Sequence, residues 1–250
     1  MAAMTAMLYR ESKIRATNVT FMFWDFLYPL FNLLVFGVGL TAAFGSPHST
    51  EGVDYNSFFL AGVLGMASFA IASNSAWSFF LDRDNGIFYE MLTYPMSRAE
   101  YLLGKLVFNI GIAVVQAALT IGVGAAVLGI SLRFDLFGAL VAGIVIGTAG
   151  WFFFYTILAL KIRRNDVFNS VTSALYFVFL FFSSMFYPLT PLPKLLRWVA
   201  MANPLTWEID LLRYGSIGLG HPRQLLIETA GFVAFAIACF AFAIHSLHQE

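Results

Sequence analysis

The sequence is short of charge. Only 11% of its 250 residues are Asp, Glu, Lys or Arg, against roughly 25% in a soluble domain. Acids and bases balance at 14 each, so no basic excess offers a surface to nucleic acid. Cysteine is nearly absent. The single one, Cys239, sits in an apolar run, has no partner for an intrachain disulfide and reads as a packing residue. Catalytic signatures are missing too. There is no HExxH zinc pattern, no GxSxG nucleophile turn and no GxxxxGK phosphate loop, and Gly104–Lys105 lacks the upstream glycine such a loop needs. His245 and His248 stand three apart with no third ligand nearby, so no metal site is expected. These absences argue for a non-catalytic chain that cannot itself bind and split ATP through a phosphate loop.

What the sequence has instead is apolar length. Hydrophobic residues make up 60% of it, and Phe alone contributes 28. The class is integral membrane. The start of the chain has no short apolar core followed by a small-residue cleavage site, so no cleaved signal peptide is expected and the first span serves as the insertion signal. A span takes about 20 apolar residues. Six are expected: Phe21–Phe44, Phe58–Leu81, Leu102–Leu128, Leu136–Leu160, Val167–Tyr187 and Leu225–Ser246. The runs are continuous rather than alternating, which excludes a membrane β-barrel. The fold expected is therefore all-α and polytopic, a single transmembrane domain over residues 1–250.

Basic residues orient it. Arg10, Lys13, Arg15, Arg83, Arg98, Lys105, Lys161, Arg163 and Arg164 fall on one side of these spans. The smaller set of Arg133, Lys194, Arg197, Arg213 and Arg223 falls on the other, and the loop GSPHSTEGVDYNS carries no Lys or Arg. Both termini and the segment 82–100 are then expected in the cytoplasm. Residues 1–20 form an amphipathic helix, with Met4, Met7, Leu8 and Ile14 opposed by Arg10 and Lys13, suited to the inner membrane surface. Residues 188–224 read as two short outer helices. Pro193 can start the first, and Asn203 caps the second ahead of Pro204. They either lie on the outer surface or dip into the outer leaflet.

Polar residues inside the spans are mostly uncharged. Asp25 is the only acid read as clearly within a span, next to Trp24 and near the expected cytoplasmic start, where a basic partner is in reach. Asn109, Gln116 and Thr120 share a helix face, as do Asn169, Ser173 and Tyr176. Such stripes serve either helix–helix hydrogen bonds or a partly polar path for an amphiphilic substrate. Ala139, Gly143, Gly147 and Gly150 permit close backbone packing, within the chain or across a dimer.

The stretch DRDNGIFYEMLTYPMSR, Asp82 to Arg98, resembles the cytoplasmic loop of the type-two ABC exporter permease family. The resemblance rests on Arg83, Asp84, Gly86, Pro95, Ser97 and Arg98, with Gly104–Lys105 opening the next span. Where the family often has Glu, this chain has Tyr89, and Glu90 follows one later. The N-terminal segment with Pro29, and the outer element Asn203, Pro204, Leu205, Thr206, extend the similarity over nearly the whole chain.

The resemblance implies a permease subunit of an ATP-driven exporter in a prokaryotic cytoplasmic membrane. It implies a second permease chain, simplest as a homodimer, and two copies of a cytoplasmic ABC ATPase subunit carrying Mg-ATP. The helix Ile87–Thr93 would couple to that motor, with Phe88, Tyr89, Met91 and Leu92 as apolar anchor and Asp82, Arg83, Asp84, Glu90 and Arg98 as charged edges. The expected substrate is an amphiphile: a drug, lipid or glycolipid. The alternatives are a polysaccharide or lipo-oligosaccharide exporter of the same family, an ATP-independent transporter, or an intramembrane enzyme.

Overall fold

A computed structural model of the protein describes residues 2–44 and 53–247, and the side chains of residues 4–39 and 53–247. Residues 1, 45–52 and 248–250, among them His248 and most of the loop GSPHSTEGVDYNS, lie outside the described residues. Among the described residues the fold is all-helical. In chain order it comprises α1 (Ala2–Thr17), α2 (Val19–Met22), a π-helical turn (Phe23–Leu27), α3 (Tyr28–Phe44), α4 (Tyr55–Asp84), α5 (Ile87–Met91), α6 (Arg98–Leu128), a 3-10 turn (Phe134–Leu136), α7 (Phe137–Lys161), α8 (Asn165–Phe181), α9 (Lys194–Met201), α10 (Pro204–Ile217) and α11 (Pro222–Leu247). Among the described residues five stretches are long and apolar enough to cross a membrane: Val19–Gly39, Tyr55–Asp84, Arg98–Leu128, Phe134–Lys161 and Pro222–Leu247. The fifth expected span ends early. Its helix α8 has 17 residues, at the lower limit of what crosses the hydrocarbon, and the chain turns at Phe182 where the sequence predicts helix to Tyr187.

The central helix is α4, packed against α3, α6, α7 and α10 and buried over most of its length. It runs from an Asp54 cap, whose side chain accepts from the Asn56 N–H, to a turn at Gly86, where φ of 76° demands glycine. The other long helices bury one side and present Val, Leu and Phe outward, as lipid-facing helices do.

Residues 188–224 resolve into two helices with different roles. Helix α9 is exposed, its Leu195 and Trp198 outermost. Helix α10 is inserted between α4, α7 and α11. The Asn203 side chain caps it by accepting from the Leu205 N–H at 2.9 Å, and Pro204 opens its first turn. Glycines make room for it. A Cβ on Gly65 would meet Ile209 at 2.6 Å, one on Gly143 would meet Leu212 at 2.9 Å, and one on Gly215 would meet the Leu140 backbone nitrogen at 2.4 Å. The small-residue stripe of α7 is thus spent within the chain: Gly143 and Gly147 face α10, and Gly150 faces Phe232 of α11.

This packing makes a prediction. Gly215→Ala puts a methyl against backbone that cannot rotate away, and should destabilise the protein by about 1–3 kcal/mol. Gly138→Ala, with nothing within 4 Å of its Cβ, should not. Thermal unfolding of the two purified variants in detergent compares them.

Candidate functional site

The end of the bundle that carries α5 concentrates the chain's buried charge. Asp82, in the last turn of α4, accepts a forked pair from Arg10 of α1, Nη1 to Oδ2 at 2.9 Å and Nη2 to Oδ1 at 2.5 Å. Tyr101 of α6 donates its hydroxyl to the same carboxylate at 2.5 Å, and Lys105 Nζ lies 3.1 Å from it. Lys105 is fully buried, and it also donates to Glu11 Oε1 at 2.8 Å and Ser78 Oγ at 3.1 Å. Burial works against the charge of Arg10, but Asp82, with Tyr101 and Glu11, outweighs it and holds the guanidinium above its ordinary value. Next along the chain, Arg83 turns the other way and donates to the carbonyls of Ala159, Leu160 and Ile162 at 2.5, 2.7 and 2.7 Å. A cation there satisfies the open end of α7 and its dipole.

Helix α5 sits on this platform. Its Phe88 is fully buried between Phe79 and Tyr101, with ring centroids at 5.4 and 5.1 Å. Leu92 and Met91 are half-buried against the same core. The exposed surface of α5 and its flanks includes Asp84, Ile87, Tyr89, Glu90, Tyr94 and Pro95. Arg98 donates to the Leu247 carbonyl at 3.0 Å, fixing the end of α11. The expected docking set therefore divides. Arg83, Phe88 and Arg98 face the chain's own helices, because a β-turn at Gly86 folds α5 back under α4. Asp84, Tyr89, Glu90 and Pro95 face out.

Helix α1 also departs from expectation. The face carrying Met7 packs on α6, with a Cβ on Gly104 only 2.8 Å from the Met7 side chain, and that face includes buried Glu11 and Arg15. Arg15 forms an ion pair with Asp25, whose other oxygen accepts from Asn74 of α4 at 2.7 Å. Asp25 lies in the π-helical turn, a distortion that concentrates at functional positions.

Beside it, Trp24, Tyr28, Ser73, Asn74, Thr172, Ser173, Tyr176 and Phe177 line a cavity of about 290 Å³ open to one side of the bundle. Of the two polar stripes, Ser173 and Tyr176 reach this cavity. Asn169 sits on the same exposed side but bonds Asn165 at 2.6 Å. Asn109, Gln116 and Thr120 are buried on α6 and do not line it. Gln116 donates to Thr120 at 2.7 Å.

The described residues hold no group of three metal-ligating side chains. The geometry is that of a short helix fixed to one end of a helix bundle that has a side-opening polar cavity, and comparison with known proteins gives it a family. The ABC-2 type transporter family model matches residues 2–217, from α1 to the end of α10. The chain belongs to that family. Curated relatives include proteins named putative transport permease ycf38. The one from Pyropia yezoensis is 27% identical over 83% of this chain and 74% of its own length. Those from Porphyra purpurea and Cyanophora paradoxa are each 27% identical over 75% of this chain and 65% of theirs.

Two buried acids of the permease, Glu208 and Glu228, escaped the sequence reading. Glu208 of α10 is buried about half-way along α4, where it accepts from Ser68 and, at 2.5 Å, from Trp151 Nε1. A Cβ on Gly147 would overlap its carboxyl. Hydropathy assigned it to an outer loop, because only tertiary insertion of α10 brings it inside. The signal available was the cap at Asn203–Pro204, which fixes where a helix begins but not where it goes.

The charge cluster yields a prediction. Lys105→Met leaves Glu11 and Asp82 buried with a single cation, Arg10, and should cost about 3–5 kcal/mol. The double variant Glu11→Gln, Lys105→Met should recover part of that loss. A double-mutant cycle on thermal unfolding measures it.

Proposed function

We propose that the chain is the transmembrane subunit of an ATP-driven exporter, oriented with both termini and α5 in the cytoplasm and with α8 as a sixth span. A separate ABC ATPase would bind the outward surface of α5. Two permease chains and two ATPase chains would form the working assembly, and ATP would be split on the partner alone. The cargo would be an amphiphile taken from the cytoplasm or inner leaflet.

The observation that carries this reading is how α5 is held. Phe88 locks it to α4 and α6, Asp82 ties that junction to α1 and α6, and Arg83 ties it to the end of α7. A push on Tyr89 and Glu90 would therefore move four helices together rather than bend a loop. Aromatic and acidic side chains left exposed on so short a helix suit a protein partner. The cavity at Ser173 and Tyr176 is wetted by hydroxyls and walled by Trp24 and Phe177, a mixture that suits an amphiphile. It opens on a side where the apolar residues Phe23, Leu27, Phe31, Phe177 and Phe181 remain exposed, and a second permease chain would close it there.

The test is copurification with the ABC ATPase encoded nearest the gene. Glu90→Arg and Tyr89→Ala should lose most of the ATPase while the permease stays folded. Phe88→Ala should first lower thermal stability by about 3–5 kcal/mol. Retention of the ATPase by both surface variants would overturn the docking face. Cysteines placed at Asn85 and Pro191 should label from opposite sides of the membrane, Asn85 from the cytoplasm.

A further inference from the structure

At the end of the bundle away from α5, two cavities meet. One, of about 280 Å³, has a polar floor: Ser184, Asp210, Arg213 and Glu228. Arg197 and His221 stand exposed at its mouth. The second, of about 660 Å³, is a largely apolar slot along α11, walled by Trp207, Ile227 and Gly231, with the exposed Arg223 also lining it. Met201, His221, Gln224 and Glu228 line both. Polar cavity and apolar slot are thus one continuous amphipathic groove.

The charges in it are not all matched. Arg213 is held by Asp210 at 2.5 Å and by the Ser184 carbonyl at 2.8 Å, and its guanidinium lies 3.8 Å from the centre of the Phe58 ring. Asp210 also accepts from Ser184 Oγ at 2.9 Å. Glu228 is 92% buried about 9 Å along α11, and the exposed side chain of Gln224, at 2.8 Å, supplies its hydrogen bond. No cation forms an ion pair with it among the described residues. A buried carboxylate in that state favours a bound cation. Arg197 and His221, a short distance toward solvent, favour an anion.

We infer that this groove binds a zwitterionic aminophospholipid of the surrounding bilayer: its ammonium on Glu228, its phosphate between Arg197 and His221, and an acyl chain along Trp207 and Ile227. A free zwitterion would leave the slot empty, and an anionic lipid would set a second negative charge beside Glu228. The exposed Leu195 and Trp198 of α9 place the groove at the level where headgroups and chains meet. The site concerns a resident lipid and does not rest on transport.

Native mass spectrometry of the purified, detergent-solubilised chain, titrated with phosphatidylethanolamine or phosphatidylglycerol of matched chains, tests it. The unaltered protein should retain phosphatidylethanolamine about tenfold better, the worth of one charge-assisted contact. Glu228→Gln, which keeps the shape of the side chain, should erase that preference. Ile227→Trp, at an exposed position, should fill the slot and weaken both lipids. Asp166→Asn, at the opposite end, should behave as the unaltered protein. Equal retention of the two lipids, or an unchanged preference in Glu228→Gln, would overturn the site. The readout uses neither ATP nor a motor subunit, so its failure is separate from failure of the exporter reading.

Discussion

The fold turns on two adjacent residues at the end of α4. Asp82 collects Arg10, Lys105 and Tyr101, and Arg83 collects three carbonyls at the end of α7. Neighbouring side chains on a helix point about 100° apart, so the pair can grip elements on two sides of α4. This is a costly way to gain stability, since desolvating such charges consumes most of their attraction. What buried ion pairs supply instead is geometry: an apolar contact can slide by one rotamer, whereas a forked Arg–carboxylate pair holds in one arrangement only. If α5 is the docking helix proposed above, that stiffness is what would carry its displacement to the helices of the bundle.

The opposite end is built on shape rather than charge. Glycines on α4, α7 and α10 let α10 approach within backbone contact, and the cap at Asn203 fixes its first turn while its amide also donates to the Phe179 and Phe182 carbonyls at 2.8 and 2.7 Å. Those bonds satisfy the frayed end of α8 where it stops short of the expected span. The early end of α8 and the insertion of α10 are therefore one event: the same asparagine closes one helix and opens the other.

Much of this was legible in the sequence. Long apolar runs announce membrane helices regardless of tertiary context, because the bilayer imposes the length. Caps are local, so Asn203–Pro204, and Ser97 with Glu100, are readable directly. The spacing from Arg83 to Arg98 carried the family. Facing was not legible. Phe88 and Tyr89 are adjacent aromatics, and only the turn at Gly86 decides which is buried. Asn109 and Ser173 belong to similar stripes, yet one faces the bundle and the other its open side. Composition cannot separate them, since a polar residue on a membrane helix satisfies a neighbour or a ligand with the same chemistry.

Glu208 bears on the rival of an ion-coupled transporter, which the sequence disfavours for want of acids inside the spans. Its carboxyl lies deep in the bundle, so the shortage is smaller than hydropathy implied. Position alone does not make it a coupling group, however. A carboxyl that exchanges ions needs a path, and Glu208 lines none of the three cavities described above. Gly147, Ser68 and Trp151 enclose it. Its donors come from α4 and α7, the two helices that α10 packs against together, and removing the carboxyl would strand the buried indole N–H and loosen both contacts. The enclosure and the donor set fit a pin that sets the depth of α10.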